Sequence, residues 1–323
     1  MTTTATRPAP WHYAAPWGAR SYVTDLDGPV HWIEFSSDTA EPAPGQGGHQ
    51  PPIVFVHGLG GSHLNWCLIG PALAAGRRVV ALDLHGFGLT PGLRANTTVR
   101  ANTRLLDRFI TEVMGTPVIL VGNSMGGLIC VLETAANPDA IKGVVLIDPA
   151  LPLAAQKPDW QVTGQFLLYA TPGLAPLVMA RLLSSVPPEE AVRQLIKLCF
   201  ADSARANPQM TKAEVALSAQ RHPATAAQAS ARARIFLAAA RSLLRVLGRR
   251  GTYYAKMAGI GVPVLLIGGE ADRLVSIAAI RHAAERNPAW ESVILAGVGH
   301  VPQLEVPDVV AATIRDWLNR HFG

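Results

Sequence analysis

Two kinds of hydrophobic run alternate along the chain. Short apolar stretches rich in β-branched residues and bounded by Gly or Pro occur at Ile53–His57, Val79–Asp83, Pro117–Gly122, Gly143–Asp148, Val262–Gly268 and Ser292–Ala296. Their length and composition predict buried strands. Between most of them lie runs with helical spacing, at Leu64–Ala75, Thr98–Met114, Met125–Asn137, Ser276–Asn287 and Pro307–Phe322. Strands buried on both faces and alternating with helices imply a mostly parallel sheet with helices on both sides, an α/β fold. Arg20–Phe35 shows some alternation of polar and apolar positions, which predicts one or two antiparallel edge strands ahead of the parallel set.

The alternation stops after Asp148 and resumes at Val262. The intervening segment is apolar and largely helical in pattern, which predicts an insertion that sits as a cap over one end of the sheet. The expected organisation is an N-terminal extension with edge strands (1–52), a core made of 53–149 and 256–323, and a helical cap (150–255). Within the cap, Arg234, Arg241 and Arg245 fall within ~40° of one another at 100° per residue. Ile235, Phe236, Leu237, Leu243, Leu244, Val246 and Leu247 fill the other side of this amphipathic helix, and Gly248 is its expected stop.

Composition narrows the class. With 49% hydrophobic and 16% charged residues and no periodic Gly or Pro, the chain can build a large core, which excludes collagen, coiled coil and disorder. The net charge of +5 is local. Val215–Gly269 contains no Asp or Glu but eight Lys and Arg, so the remainder is net acidic and no nucleic-acid partner is expected. The arginine stripe reads first as a solvated face; the alternative is weak peripheral attraction to an anionic membrane surface or to acidic substrates. The three cysteines, Cys67, Cys130 and Cys199, are far apart and lack metal-ligand spacing, as expected of reduced thiols. Residues 1–17 do not resemble a signal peptide. The most apolar stretch, Phe166–Leu183, is broken by Thr171, Pro172, Gly173, Pro176 and Arg181, so a soluble cytoplasmic protein is expected.

The sharpest chemical signal is Gly122-Asn123-Ser124-Met125-Gly126-Gly127, set between a predicted strand and a predicted helix. A serine in so tight a turn needs small neighbours, because the backbone is strained and the flanking residues pack closely. The positive end of the following helix favours negative charge developing beside it. A serine hydroxyl needs a base and an orienting acid. His300 follows one predicted strand, and Asp272 follows another. All three lie at carboxyl ends of strands, where open α/β sheets place their sites. Asp148 also follows a strand end and is the rival acid. Glu270 reads as a solvated loop charge, and His57 and His85 read as structural hydrogen-bonders in turns. Trp66 reads as core packing, with a pocket wall as the alternative, and Glu305 as tied to nearby backbone at the start of the last helix. Gly58-Leu59-Gly60 after a strand partly matches a dinucleotide-binding turn, but its third glycine is replaced by His63 and there is no P-loop, so no cofactor is expected; no metal is expected either.

The order Ser124, Asp272, His300 and the strand–turn–helix setting of the serine resemble the α/β-hydrolase family. The resemblance runs from about Ile53 to the chain's end. It includes His57-Gly58-Leu59-Gly60-Gly61, Asp83-Leu84-His85-Gly86-Phe87-Gly88 and His300-Val301-Pro302-Gln303-Leu304-Glu305. It implies Ser124 as nucleophile, His300 as general base and then acid, and Asp272 as the residue orienting the imidazole. Backbone N–H groups of Leu59 and Met125 would form the oxyanion hole. It implies a serine esterase or lipase-like enzyme acting on a small hydrophobic ester through an acyl-enzyme. Haloalkane dehalogenases and epoxide hydrolases of this fold carry aspartate where Ser124 stands. Two alternatives stay open: a carbon–carbon bond hydrolase, which the Gly-Asn-Ser-Met-Gly-Gly run suggests although Val301 stands where Trp is expected, and a ligand-binding receptor or scaffold. In the cap, Phe166, Leu167, Leu168, Tyr169, Leu174, Leu177, Val178 and Met179 either line an acyl pocket or pack the cap onto the body. The oligomeric state is left open.

Overall fold

The computed structural model describes residues 5–36, 50–93, 95–152, 171 and 173–323. Its sheet has nine strands among these residues: β1 (Thr6–Pro8), β2 (Ala19–Asp25), β3 (Pro29–Phe35), β4 (Ile53–Val56), β5 (Val79–Leu82), β6 (Val118–Asn123), β7 (Ile141–Ile147), β8 (Val264–Gly269) and β9 (Glu291–Leu295). Their order is β1-β2-β3-β5-β4-β6-β7-β8-β9. The first three strands and the β3–β5 pair are antiparallel, and every pairing from β5 onward is parallel. The Arg20–Phe35 region thus forms a full hairpin. It is not the outermost element, because the three-residue β1, which has no apolar signal, pairs outside it.

Strand alternation divides the core into two layers. Val54, Val56, Leu120, Val144, Leu146 and Leu266 face one layer, whereas Ile53, Phe55, Ile119, Val145, Ile147 and Ile267 face the other. The first layer is closed by α2 (Val99–Phe109), α3 (Met125–Ala136) and α9 (Ile277–Arg286), with Leu105, Leu106, Leu128, Ile129 and Ile280 buried. The second is closed by the short α10 (Pro302–Glu305), which buries Leu304, and by α11 (Pro307–Phe322), which buries Val310, Ile314 and Trp317. The helix predicted over Leu64–Ala75 is broken. It consists of a short 3-10 turn at His63–Trp66 and the four-residue α1 (Gly70–Leu73), because Pro71 removes a backbone donor there.

Between β7 and β8 the structure describes α4 (Leu174–Ser185), α5 (Pro188–Cys199), α6 (Pro208–Arg221), α7 (Ala226–Gly248) and α8 (Arg250–Ala258). Helix α7 starts on a capping box, with Thr225 and Gln228 satisfying each other's end of the helix, and its last residue is Gly248. Leu237 and Leu243 are buried on its inner side; Arg234 and Arg245 are exposed, and Arg241 donates to the Thr171 carbonyl. Helix α8 belongs with the core. Its Tyr253 and Met257 are fully buried in the first layer, although residues 250–255 fall on the insertion's side of the expected boundary. No helix among the described residues is long and apolar enough to cross a membrane.

Candidate active site

Ser124 occupies the junction of β6 and α3 at φ 55° and ψ −120°, a conformation that costs an L-residue ~1–3 kcal/mol. Packing holds it there. The Ser124 N–H donates to the Ile147 carbonyl at 3.1 Å, and its own carbonyl accepts from Ala150 N at 2.9 Å and Leu128 N at 3.1 Å. The first turn of α3 presses on the end of β4. A Cβ at Gly126 would lie 2.0 Å from the Val56 carbonyl oxygen, and one at Gly122 would lie 2.6 Å from Gly126 C. Only glycine allows this approach, which brings the loop after β4 beside the serine. Leu59 in that loop lines the same cavity as Ser124, and Met125 directly follows the serine with its side chain fully buried. Trp66 stacks on Phe55 at a centroid distance of 4.6 Å, so it is core packing beneath this loop.

Buried polar contacts hold the loop. His57 Nδ1 donates to the Gly58 carbonyl at 2.7 Å, while its Nε2 accepts from Leu84 N at 3.1 Å. Burial pulls this imidazole down to about 4, so it is neutral at ordinary pH. Asp83 accepts from His63 N at 2.6 Å, His63 Nδ1 at 2.9 Å, His31 Nδ1 at 2.7 Å and Leu89 N at 2.8 Å. Despite burial, its carboxyl is held well below the usual carboxylate range, with the nearby His63 charge and the histidine hydrogen bonds the lowering causes. His31, His63 and Asp83 are the only three among the described residues whose donor atoms converge as metal ligands could. The strands bring them together from three separate places, a convergence the sequence spacing does not reveal. These same atoms are engaged in the hydrogen bonds that tie β3, the loop after β4 and the turn after β5 to one carboxylate.

His300 follows β9, and Asp272 follows β8. The His300 Nδ1 donates to Asp272 Oδ2 at 2.7 Å, and Asp272 Oδ1 accepts from Leu274 N at 2.7 Å and Val275 N at 3.1 Å. The Asp272 carboxylate is fully buried and the His300 side chain nearly so, but the imidazole reaches the cavity that Ser124 lines. The rival, Asp148, bonds elsewhere: Gly269 N donates to both its oxygens, at 2.9 and 3.1 Å. Its side chain also hydrogen-bonds Asp272, and burial together with the Asp272 charge pushes it well above the usual carboxylate range. Asp148 is thus a buried partner of the acid that holds the imidazole, with its ionised form disfavoured. Glu270 is exposed.

The structure adds two residues that fix the histidine loop. Asn123 Nδ2 donates to the carbonyls of Ile147 and His300, both at 3.0 Å. Glu305 reaches well beyond its own helix start. It accepts from Gly299 N at 2.7 Å, Asp202 N at 3.0 Å, Ala201 N at 3.1 Å and Arg205 Nη1 at 3.2 Å. His300 N donates to the Cys199 carbonyl at 2.7 Å, so the loop is docked on the end of α5. For Asn123, the adjacency to Ser124 was a signal; for the Glu305 tie to the insertion there was none.

Ser124 and His300 face a cavity of about 1100 Å³. Much of its apolar wall comes from the insertion, including Ile196, Met210, Leu217, Phe236, Leu243 and Leu247, and the core adds residues such as Leu59, Phe87 and Val301. Of the two readings of the large apolar residues in 166–179, lining does not hold for the four that are described. Leu174 and Leu177 are exposed and, like Val178 and Met179, do not face the cavity. Met179 packs with Ala175 against Leu237 of α7. Phe166, Leu167, Leu168 and Tyr169 lie outside the described residues.

A model of the Alpha/beta hydrolase family matches residues 53–313. The chain belongs to this family. It is 28% identical over 288 residues to the dihydrolipoyllysine-residue acetyltransferase component of an acetoin cleaving system from Pseudomonas putida, covering 86% of this chain. The match spans 65% of that protein, a little under two thirds of its length. The chain is also 25% identical over 262 residues to a pimeloyl-[acyl-carrier protein] methyl ester esterase from Aeromonas hydrophila, covering 80% of this chain and 92% of that one. Among solved structures, haloalkane dehalogenase DatA from Agrobacterium tumefaciens C58 superposes with a TM-score of 0.76 at 19% identity, covering 96% of this chain and 99% of that one. The likeness to the dehalogenase is one of fold.

Proposed function

We propose that this hydrolase is a serine carboxylesterase of the lipase-like type, acting on hydrophobic esters through an acyl-enzyme. The observation that carries the reading is a strained serine facing an apolar cavity together with an imidazole whose far nitrogen is held by a buried carboxylate. In this reading Ser124 Oγ attacks the ester carbonyl carbon and passes its proton to His300 Nε2. The tetrahedral intermediate's oxyanion is held by the N–H groups of Leu59 and Met125, each worth ~3 kcal/mol. Collapse expels the alcohol, which takes the proton back from His300. Water then attacks the acyl-serine with His300 again as base, releasing acid and free Ser124. Asp272 keeps the His300 Nδ1–H in place, so that Nε2 is the basic nitrogen facing the serine.

The residue at the elbow argues against the chemistry named by the dehalogenase neighbour. Displacement of halide by a serine oxygen would leave an alkyl ether, which water attacking a carbonyl cannot release. An acyl-serine is an ester and turns over. The esterase relative, matched over 92% of its length, supports the same reading. The test is hydrolysis of p-nitrophenyl esters of graded acyl length by wild type and Ser124→Ala. Turnover by wild type and loss of at least 10⁴-fold in the variant are expected, on the order of the loss when such a triad is broken. Equal activity in the two proteins would overturn the assignment.

A further inference from the structure

The cavity is apolar along most of its wall, yet four charged side chains other than His300 line it: Glu214, Arg221, Arg232 and Arg250. Arg250 is exposed. Arg221, at the end of α6, donates from Nη2 to the Gly86 carbonyl at 2.9 Å, beside the turn after β5. Arg232, on α7, is half-buried and close enough to Arg221 for each charge to disfavour the other. Among the described residues no carboxylate lies within ion-pair distance of either guanidinium, and Arg232 has no hydrogen-bond partner. Burial lowers Arg232 to about 10, which leaves it cationic at neutral pH. Arg221 also feels the buried carboxylates of Asp83 and Glu214; of these two only Glu214 lines the cavity, and burial pushes it up to about 7, so it carries only part of a negative charge there.

Two cations in one cavity constrain what can fill it. A neutral chain filling the space would strip water from Arg232 and return nothing, because a buried charge is tolerated only when paired. A ligand ending in an anion supplies the missing partner, and a guanidinium matches carboxylate or phosphate through two parallel hydrogen bonds. We propose that Arg232, with Arg221 beside it, forms an anion subsite, and that the preferred substrate is an amphiphilic ester with an apolar chain and a carboxylate or phosphate group. As to substrate, this rests on the esterase reading; as to binding, it stands alone.

The test separates the two. In the binding arm, Ser124→Ala is titrated calorimetrically with nonanoate, octyl phosphate and neutral 1-octanol at pH 8. The anionic amphiphiles are expected to bind at least tenfold more tightly than the alcohol, and the tighter of the two identifies the headgroup. Adding Arg232→Gln should erase the preference, Arg232→Lys should keep part of it, and Arg234→Gln, on the exposed face of α7, should leave it intact. Glu214→Gln should strengthen anion binding, because it removes the opposing charge. In the turnover arm, wild type is given the mono-p-nitrophenyl ester of octanedioic acid and the same ester with its far carboxyl methylated. A preference for the acid that Arg232→Gln abolishes is expected. Equal binding of anion and alcohol, or a preference that survives Arg232→Gln, overturns the subsite whether or not esters are cleaved. Arg232-dependent anion binding without any ester turnover keeps the subsite and overturns the esterase reading.

Discussion

The assignment of the acid can be tested by two isosteric changes, Asp272→Asn and Asp148→Asn. At position 272 the backbone decides the amide's orientation. Leu274 N and Val275 N both donate to Oδ1, so an asparagine must keep its oxygen there. The reversed amide would set its NH₂ against two N–H donors, at a cost of ~1–3 kcal/mol for each unsatisfied group. The NH₂ therefore replaces Oδ2, 2.7 Å from His300 Nδ1. The imidazole must then accept at Nδ1 and carry its proton on Nε2, where it cannot take one from Ser124. A wrong tautomer of this kind costs about 10⁴ in kcat, equivalent to ~5.5 kcal/mol of transition-state stabilisation. Burial and the Asp272 charge disfavour an ionised Asp148, so its Asn variant removes no charge that the site uses and should stay within about tenfold of wild type. The assay is kcat and kcat/KM on a p-nitrophenyl ester at pH 8, with thermal unfolding as a check that both variants fold. If Asp272→Asn stays within tenfold while Asp148→Asn loses a thousandfold or more, the tautomer argument is wrong and Asp148 is the working acid.

Three further outcomes follow from packing and titration. Gly126→Ala places a methyl 2.0 Å from the Val56 carbonyl oxygen, which the backbone can relieve only by moving α3 from the loop after β4; we expect loss of activity and a lower Tm, measured together, and unchanged values of both would refute the close-approach argument. Burial raises the Glu133 carboxyl from 4.5 to about 7, so the folded state holds a proton that the unfolded chain has released. Stability should fall as pH rises from about 4.5 to 7 by up to ~3 kcal/mol at 1.36 kcal/mol per pH unit, and urea unfolding at pH 5 and 8 should show that Glu133→Gln removes this part of the slope. Glu305→Ala leaves three backbone N–H groups without their acceptor and takes from Arg205 one of its partners; a loss of ~3–5 kcal/mol is expected in denaturant melts, with kcat reduced because the His300 loop loses one of its ties to the insertion.

Much of the architecture was legible because its signals are local. A strand buried on both faces reads as a continuous apolar run, and the parallel strands β4 to β8 all have that form. Strand β9 was found by the same rule although its alternate residues are exposed, because Gly297 and the β-branched Val293 and Ile294 still mark it. The elbow was legible because its glycines stand within four residues of the serine whose turn needs them. The short β1 and the break at Pro71 were less so. The first is held by pairing with β2 rather than by any apolar content, and the second lies in a run whose spacing still looks helical.

The sequence by itself determined the alternation of strand and helix, the helical stretch after β7, and the position of Ser124, His300 and two acids just beyond strand ends. Each depends on a residue and its near neighbours, through periodicity, backbone freedom at glycine or position after a strand. Only the tertiary structure decided which acid holds the imidazole, that Asp148 sits buried beside it, that one buried glutamate ties the histidine loop to the insertion, and which side chains of the insertion line the cavity beside the serine. Several of those outcomes join groups separated by 100 residues or more, such as Glu305 with Ala201 and Asp148 with Gly269. Their partners are chosen by how whole elements pack and by the need to satisfy each buried charge, and neither leaves a trace in local spacing.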